Sequence, residues 1–243
     1  MRTLVIGDIH GGLKALIQLL KRAEVTNEDN LIFLGDYVDG WSESAQVIQY
    51  LIELSEVNTC VFIKGNHDAW CEQWLASEFI DDIWYNHGGK GTLKSYNGFS
   101  KAQKNEHLDF FEAMPVYHLD SEQRLFVHAG FRSVHGVEKE FDVRGFYFDR
   151  TLWEMALTMD TRINKDSTLY PKRLKHYSEI YIGHTPTLNF KKTEPMNAVN
   201  VWNVDTGAAF TGKLSAIDID SKEIFQSDVV KDLYPNELGR NKG

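Results

Sequence analysis

Apolar residues in the first third of the chain form short runs separated by stretches of helical period. TLVIG (Thr3–Gly7), LIFLG (Leu31–Gly35) and TCVFIKG (Thr59–Gly65) are β-branched or aromatic runs of strand length, each closed by glycine. Between them, GLKALIQLLKRAE places Leu13, Leu16, Ile17 and Leu20 at helical spacing. SESAQVIQYLIELSEV does the same with Val47, Ile48, Leu51 and Ile52, and Ser42 is its expected N-cap. Strand–helix–strand–helix–strand at this spacing predicts βαβ units and a largely parallel sheet.

The pattern then changes. Ala69 to Ala113 reads as helical, with an interruption at HGGKG (His87–Gly91). VYHLD, RLFVH, EIYIG, VNVWNVD, KLSAIDID and EIFQSDVV read as strands, the last two as a hairpin turning at Ser221-Lys222. A mixed segment, Gly130 to Lys175, holds one helical stretch near Asp149–Met159, and NELGRNKG at the end is expected to be a loose tail. A βα half followed by a β-rich half predicts two packed sheets with helices outside, a layered α/β sandwich in one domain spanning 1–243.

Composition narrows the function class. The chain has 35 acidic and 26 basic residues, a net charge of −9, which argues against general affinity for nucleic-acid polymers. Cys60 and Cys71 are the only cysteines, too few for a disulfide framework, and Cys60 is expected as a buried free thiol. MRTLVIGDIH runs directly into a strand, with no signal-peptide core and no membrane-length apolar run elsewhere. The expected setting is the cytoplasm, without a membrane partner.

The candidate chemistry follows the strands. GDIHG supplies Asp8 and His10, GDYVDG supplies Asp36 and Asp39, and GNHD supplies Asn66, His67 and Asp68. VHAG and IGHTP add His128 and His184. Sites in open α/β sheets form beyond the carboxyl ends of the strands, so the five clusters can meet on one edge. One such Asp is most often a cap and one such His a structural residue. Five clusters together would be a costly gathering of carboxylates and imidazoles unless cations compensated them. Oxygen and imidazole donors without thiolate suit Mn²⁺, Fe or Zn²⁺. The donors outnumber the needs of one tetrahedral ion, and two ions about 3.5–4 Å apart are typical machinery for phosphate-ester hydrolysis.

In order, GDIHG, GDYVDG, GNHD, His128 and GHT resemble the motifs of the calcineurin-like metallophosphoesterases. The resemblance is closest to the phosphoprotein phosphatase branch, which includes bacterial and phage Ser/Thr phosphatases and diadenosine tetraphosphatases. It extends through HGGKGTLKSY and NVDTGAAFTGKLSAIDID, covering most of the chain. It implies a four-layer α/β/β/α sandwich of two mixed sheets. It implies two divalent metals, Mn foremost with Fe or Zn as alternatives. Asp8, His10 and Asp36 would hold the first, and Asp36, Asn66, His128 and His184 the second. A hydroxide between the metals would attack phosphorus, His67 would protonate the leaving oxygen, and Asp39 would orient His67.

The remaining polar and aromatic residues are read as structural. Asp68 is taken as a supporting or capping group, and Trp70, Trp74, Trp153 and Trp202 as packing. His87 is weighted toward a structural role, and His118 and His135 are given none.

The sequence departs from the branch at one point. Where the pattern runs GD-x-VDRG, Gly40 replaces the arginine that grips substrate phosphate, and Trp41 follows. Arg132, Arg144 and Arg150 are the candidate replacements, with Arg150 favoured. The leading expectation is a phosphomonoesterase acting on phosphorylated protein or a small phosphoester. The alternative is hydrolysis of a dinucleoside tetraphosphate, with an exposed Trp41 stacking on a base and ADP as the product from diadenosine tetraphosphate. A non-catalytic metal-bound scaffold ranks last, because every matched donor is retained.

Overall fold

The computed structural model describes residues 2–241. Three short parallel strands, β1 (Thr3–Ile6), β2 (Asn30–Phe33) and β3 (Thr59–Phe62), alternate with helices α1 (Leu13–Arg22) and α2 (Ser44–Ser55). Helix α3 (Asn66–Ser77) follows, and shorter helical turns lead to the helix Lys101–Glu112. The second half contributes β4 (Tyr117–Leu119), β5 (Leu125–Val127), β6 (Ile180–Ile182), β7 (Met196–Ala198) and β8 (Val201–Asn203). The hairpin β9 (Lys213–Asp218) and β10 (Ile224–Val229) then returns to the first sheet.

The strand orders are β10-β9-β1-β2-β3 and β4-β5-β6-β8-β7, each mixing parallel and antiparallel pairs. Alternate residues along a strand point to opposite faces, and this assigns the layers. Leu4, Ile6, Leu31 and Phe33 join a core under the first-half helices. Val5, Ile32, Phe126 and Tyr181 fill the space between the sheets. Leu125, Val127, Ile180 and Ile182 join a third core with Leu152 and Trp153 of the helix Thr151–Thr158. This is the expected helix–sheet–sheet–helix sandwich. Among the described residues no helix is long and apolar enough to cross a membrane.

Local expectations fail at four points, the first being Cys60, a free thiol that is half-buried rather than buried. Ser42 does not cap α2: its N–H and hydroxyl donate to the Glu237 carboxylate at 2.9 and 2.7 Å. Trp41 is not exposed but fully buried, its indole N–H donating to Ala208 O at 2.8 Å and its ring stacked 5.2 Å from Tyr234. The terminal segment is not loose as far as Asn241. Glu237 is tied to Ser42, and the Arg240 N–H donates to Ala209 O at 2.9 Å. A large ring such as Trp41 demands apolar cover, and here the C-terminal segment supplies it. Lys242 and Gly243, also part of the expected tail, lie outside the described residues.

Candidate metal centre and active-site cavity

The carboxyl ends of β1, β2, β5 and β6, with the start of α3, bring Asp8, His10, Asp36, Asn66, His67, His128 and His184 to one place. All but His184 are buried, and His184 is half-buried. Asp36 is central. Its Oδ2 lies 3.6 Å from His10 Nε2 and 3.4 Å from His128 Nε2. Asp8 Oδ2 is 3.9 Å from His10 Nε2 on one side. On the other, Asn66 Oδ1 and His184 Nδ1 each lie 3.2 Å from His128 Nε2. Two donor sets result, His10–Asp36–His67 and Asp36–His128–His184, each with atoms within 4.8 Å of one another and both containing Asp36.

The backbone prepares the imidazoles for metal. His10 Nδ1 lies 2.8 Å from Asp39 O, and His128 Nδ1 lies 2.8 Å from Leu34 O. An Nδ1–H donated to a carbonyl leaves the Nε2 lone pair facing the centre, the arrangement seen in metal-ligating histidines. Asp36 itself is fixed from behind. Asp68 accepts the N–H groups of Asp36 and Tyr37 at 2.7 and 2.9 Å, and also that of Gly65 at the start of α3. The α3 backbone N–H of His67 donates to Asp36 Oδ1 at 3.0 Å. Asp68 is thus the supporting group expected from sequence.

The electrostatics call for positive charge. Burial opposes ionisation of Asp36, but His128, His67 and His10 outweigh it and hold its carboxyl well below the usual range. Burial also opposes a charged His128, yet Asp36 beside it prevails and pushes it up to about 10. A proton there sits where a cation would. Burial, with Asp205 nearby, raises Asp8 well above the usual carboxylate range. Asp205, buried two residues beyond β8, is itself raised to about 6, chiefly by burial. Such carboxylates, with imidazole nitrogens turned toward the centre, are a donor set chemically suited to divalent ions.

His67 and Asp39 form a separate pair, Nδ1 to Oδ2 at 2.6 Å. Asp39 also accepts from Trp84 Nε1 at 2.7 Å and Thr92 Oγ1 at 2.5 Å. Burial pushes His67 down to about 3 and Asp39 up to about 8, while the Trp84 and Thr92 donors favour the carboxylate. Neutral imidazole with carboxylic acid, and imidazolium with carboxylate, contain the same number of protons. They differ only in which side of the contact holds one of them. The short Nδ1–Oδ2 contact fixes the ring so that Nε2 is its free nitrogen.

A cavity of about 420 Å³ opens above the centre. Arg150 enters it from the start of the helix Thr151–Thr158, with Nε 3.4 Å from His184 Nε2. Arg132 and Arg144, offered with it as phosphate contacts, are instead both paired with Asp142, at 2.9 and 3.0 Å, and do not line the cavity. Trp70, expected as packing, lines the wall with Phe148, their rings 5.9 Å apart. His87 lines it too, with Nδ1 tied to Ile83 O at 2.7 Å. Trp153 is core as expected.

Sequence reasoning missed Asp205, Trp84, Thr92 and Arg240. Asp205 carried a signal as an acid just past a strand, and Thr92 one as part of HGGKGTLKSY. Four centre residues, His10, Asp36, Asp39 and His184, have positive φ between 53° and 68°. This left-handed region is costly for side-chain-bearing residues and concentrates at functional sites.

Donors of this kind around a shared carboxylate are what phosphate-ester hydrolysis uses, and the molecule is of the class of metal-dependent phosphoester hydrolases. A profile of the calcineurin-like phosphoesterases matches residues 1–210, and the chain belongs to that family. It is 29% identical to the bis(5'-nucleosyl)-tetraphosphatase PrpE (asymmetrical) of Oceanobacillus iheyensis, covering 92% of this chain and 90% of that one. The protein of the same name from Bacillus cereus is 28% identical, over 90% and 91% of the two chains. Among solved structures, a protein serine/threonine phosphatase from Saccharomyces cerevisiae superposes with a TM-score of 0.62. It is 15% identical over 94% of this chain and 80% of that one, a likeness of fold.

Proposed function

We propose that the protein hydrolyses the phosphoanhydride chain of a dinucleoside tetraphosphate, using a two-metal centre. Asp8, His10 and Asp36 would hold one ion, and Asp36, Asn66, His128 and His184 the other. Divalent ions there, Mn²⁺ foremost with Fe or Zn²⁺ as alternatives, would supply Lewis acidity toward phosphoryl oxygens and acidify a water to near neutral pH. His67 donates its Nε2 proton to the departing oxygen, and Asp39, held by Trp84 and Thr92, keeps the imidazole aligned.

The observation that carries the substrate class is the cavity wall. It sets Trp70 and Phe148 beside the centre as apolar rings for a base, and arginine for phosphate. These rings take the stacking role first given to Trp41, whose burial removes it. The full-length likeness to two bacterial tetraphosphatases supports this reading over the phosphomonoesterase first expected. Those relatives are named asymmetrical, which favours unequal products over the ADP first anticipated.

The test is product analysis. Mn²⁺-loaded protein incubated with diadenosine tetraphosphate is expected to give ATP and AMP by chromatography. Release of phosphate from a phosphoserine peptide, with the dinucleotide left intact, would return the assignment to a protein phosphatase.

A further inference from the structure

Position 40 holds glycine where the resembling phosphatases carry their phosphate-gripping arginine. The backbone closes this position to any side chain. Gly40 has φ +145°, and a Cβ there would meet His10 O at 2.9 Å. The space beyond is nevertheless filled: Arg240 Cγ lies 3.6 Å from that Cβ position. Arg240 lines the cavity together with His10, Asp36 and His67.

The segment carrying Arg240 is anchored on both sides of the chain turn. The Arg240 N–H donates to Ala209 O at 2.9 Å, and Glu237 receives both Ser42 donors. Gly239, at φ +58°, lies flat on the Trp41 ring, where a Cβ would come within 2.7 Å of Cζ2. The burial of Trp41 thus has a purpose, since its ring is the bed for this turn. The Arg240 guanidinium sits 5.5 Å from the Phe210 ring centroid, and no carboxylate of the described residues pairs with it. Its charge bears on His10, His67, Asp39 and Asp205. Arg150 stands on the His184 side of the same cavity. An anion at the centre would therefore meet one guanidinium from each side.

We propose that Arg240 is a substrate-phosphate ligand, delivered by the C-terminal segment into the place that Gly40 leaves open. With Arg150 it brackets a phosphate chain over the donor cluster. This rests on the cluster being the metal centre described above, but not on the dinucleotide as substrate.

The experiment titrates inorganic phosphate into Mn²⁺-loaded protein by calorimetry, in parallel with hydrolysis of an aryl phosphate. The wild type, Arg240→Ala, Arg240→Lys and a chain ending at Gly239 are compared. Losing charge-assisted hydrogen bonds is expected to weaken phosphate binding about 10- to 100-fold in Arg240→Ala and in the shortened chain. In Arg240→Ala, which keeps the backbone anchor, bound metal and melting temperature should stay at wild-type values, and Arg240→Lys should keep part of the affinity. Millimolar guanidinium is expected to restore aryl phosphate hydrolysis in Arg240→Ala alone. Unchanged phosphate affinity in Arg240→Ala with metal bound overturns the proposal, as does a metal-loaded wild type that binds no phosphate. Neither probe contains a nucleoside, so failure on diadenosine tetraphosphate with a clear Arg240 effect would reject the tetraphosphatase reading and leave this one standing.

Discussion

Asp36 and Arg240 line the same cavity and are built by opposite means. Asp36 lies three residues past a central strand, in a motif whose neighbours in sequence are also its neighbours in space. Its N–H, its carboxylate and its flanking imidazoles are all fixed by buried partners. Arg240 arrives from the far end of the chain, on a turn held by Trp41, Ala209 and Ser42. The floor of the site is a property of strand ends, and the wall a property of tertiary docking. In the proposed function the floor carries the chemistry and the wall the choice among phosphoesters.

Floor and wall variants should therefore behave differently. Asp36→Asn should have the largest effect, because it removes the carboxylate common to both donor sets. Its loss of hydrolysis should exceed the roughly 10- to 100-fold typical of outer-shell changes at metal sites. Elemental analysis should show metal lost, and every phosphoester substrate should suffer equally. His67→Asn should come next, lowering turnover of an alkyl phosphate about 10²- to 10⁴-fold while metal content holds. An anhydride, whose leaving oxygen is a weaker base, should lose less. Wild-type rates on the alkyl substrate would remove His67 from the proton step. Phe148→Ala should be mildest. Loss of one stacked base, worth about 1–3 kcal/mol, should raise KM for diadenosine tetraphosphate more than for an aryl phosphate. An equal rise for both would show that the ring is not selective.

The same division explains what could be read from the sequence. The apolar runs TLVIG, LIFLG, TCVFIKG and RLFVH form strands as expected, and the strand-end polar clusters converge as expected. These signals are local, spanning a few residues. Trp84 and Thr92 reach Asp39 from 45 and 53 residues away in a helical insertion, and although Thr92 lies in the HGGKGTLKSY motif, no local pattern pairs either residue with Asp39. Trp41 looked exposed because Tyr234, its stacking partner, lies far along the chain. Arg132 and Arg144 looked eligible as phosphate ligands because their shared pairing with Asp142, two residues before Arg144, forms only in the folded loop. Asp205 was legible in principle, since it follows β8 as Asp8 follows β1.

The left-handed backbone at His10, Asp36, Asp39 and His184 has a practical consequence for anyone improving this protein. Each position stores about 1 kcal/mol or more that a less restricted residue would release. A screen that rewards only heat resistance would therefore be drawn to these four codons and return a hardier, inert protein. Library design should hold them constant and look for robustness elsewhere.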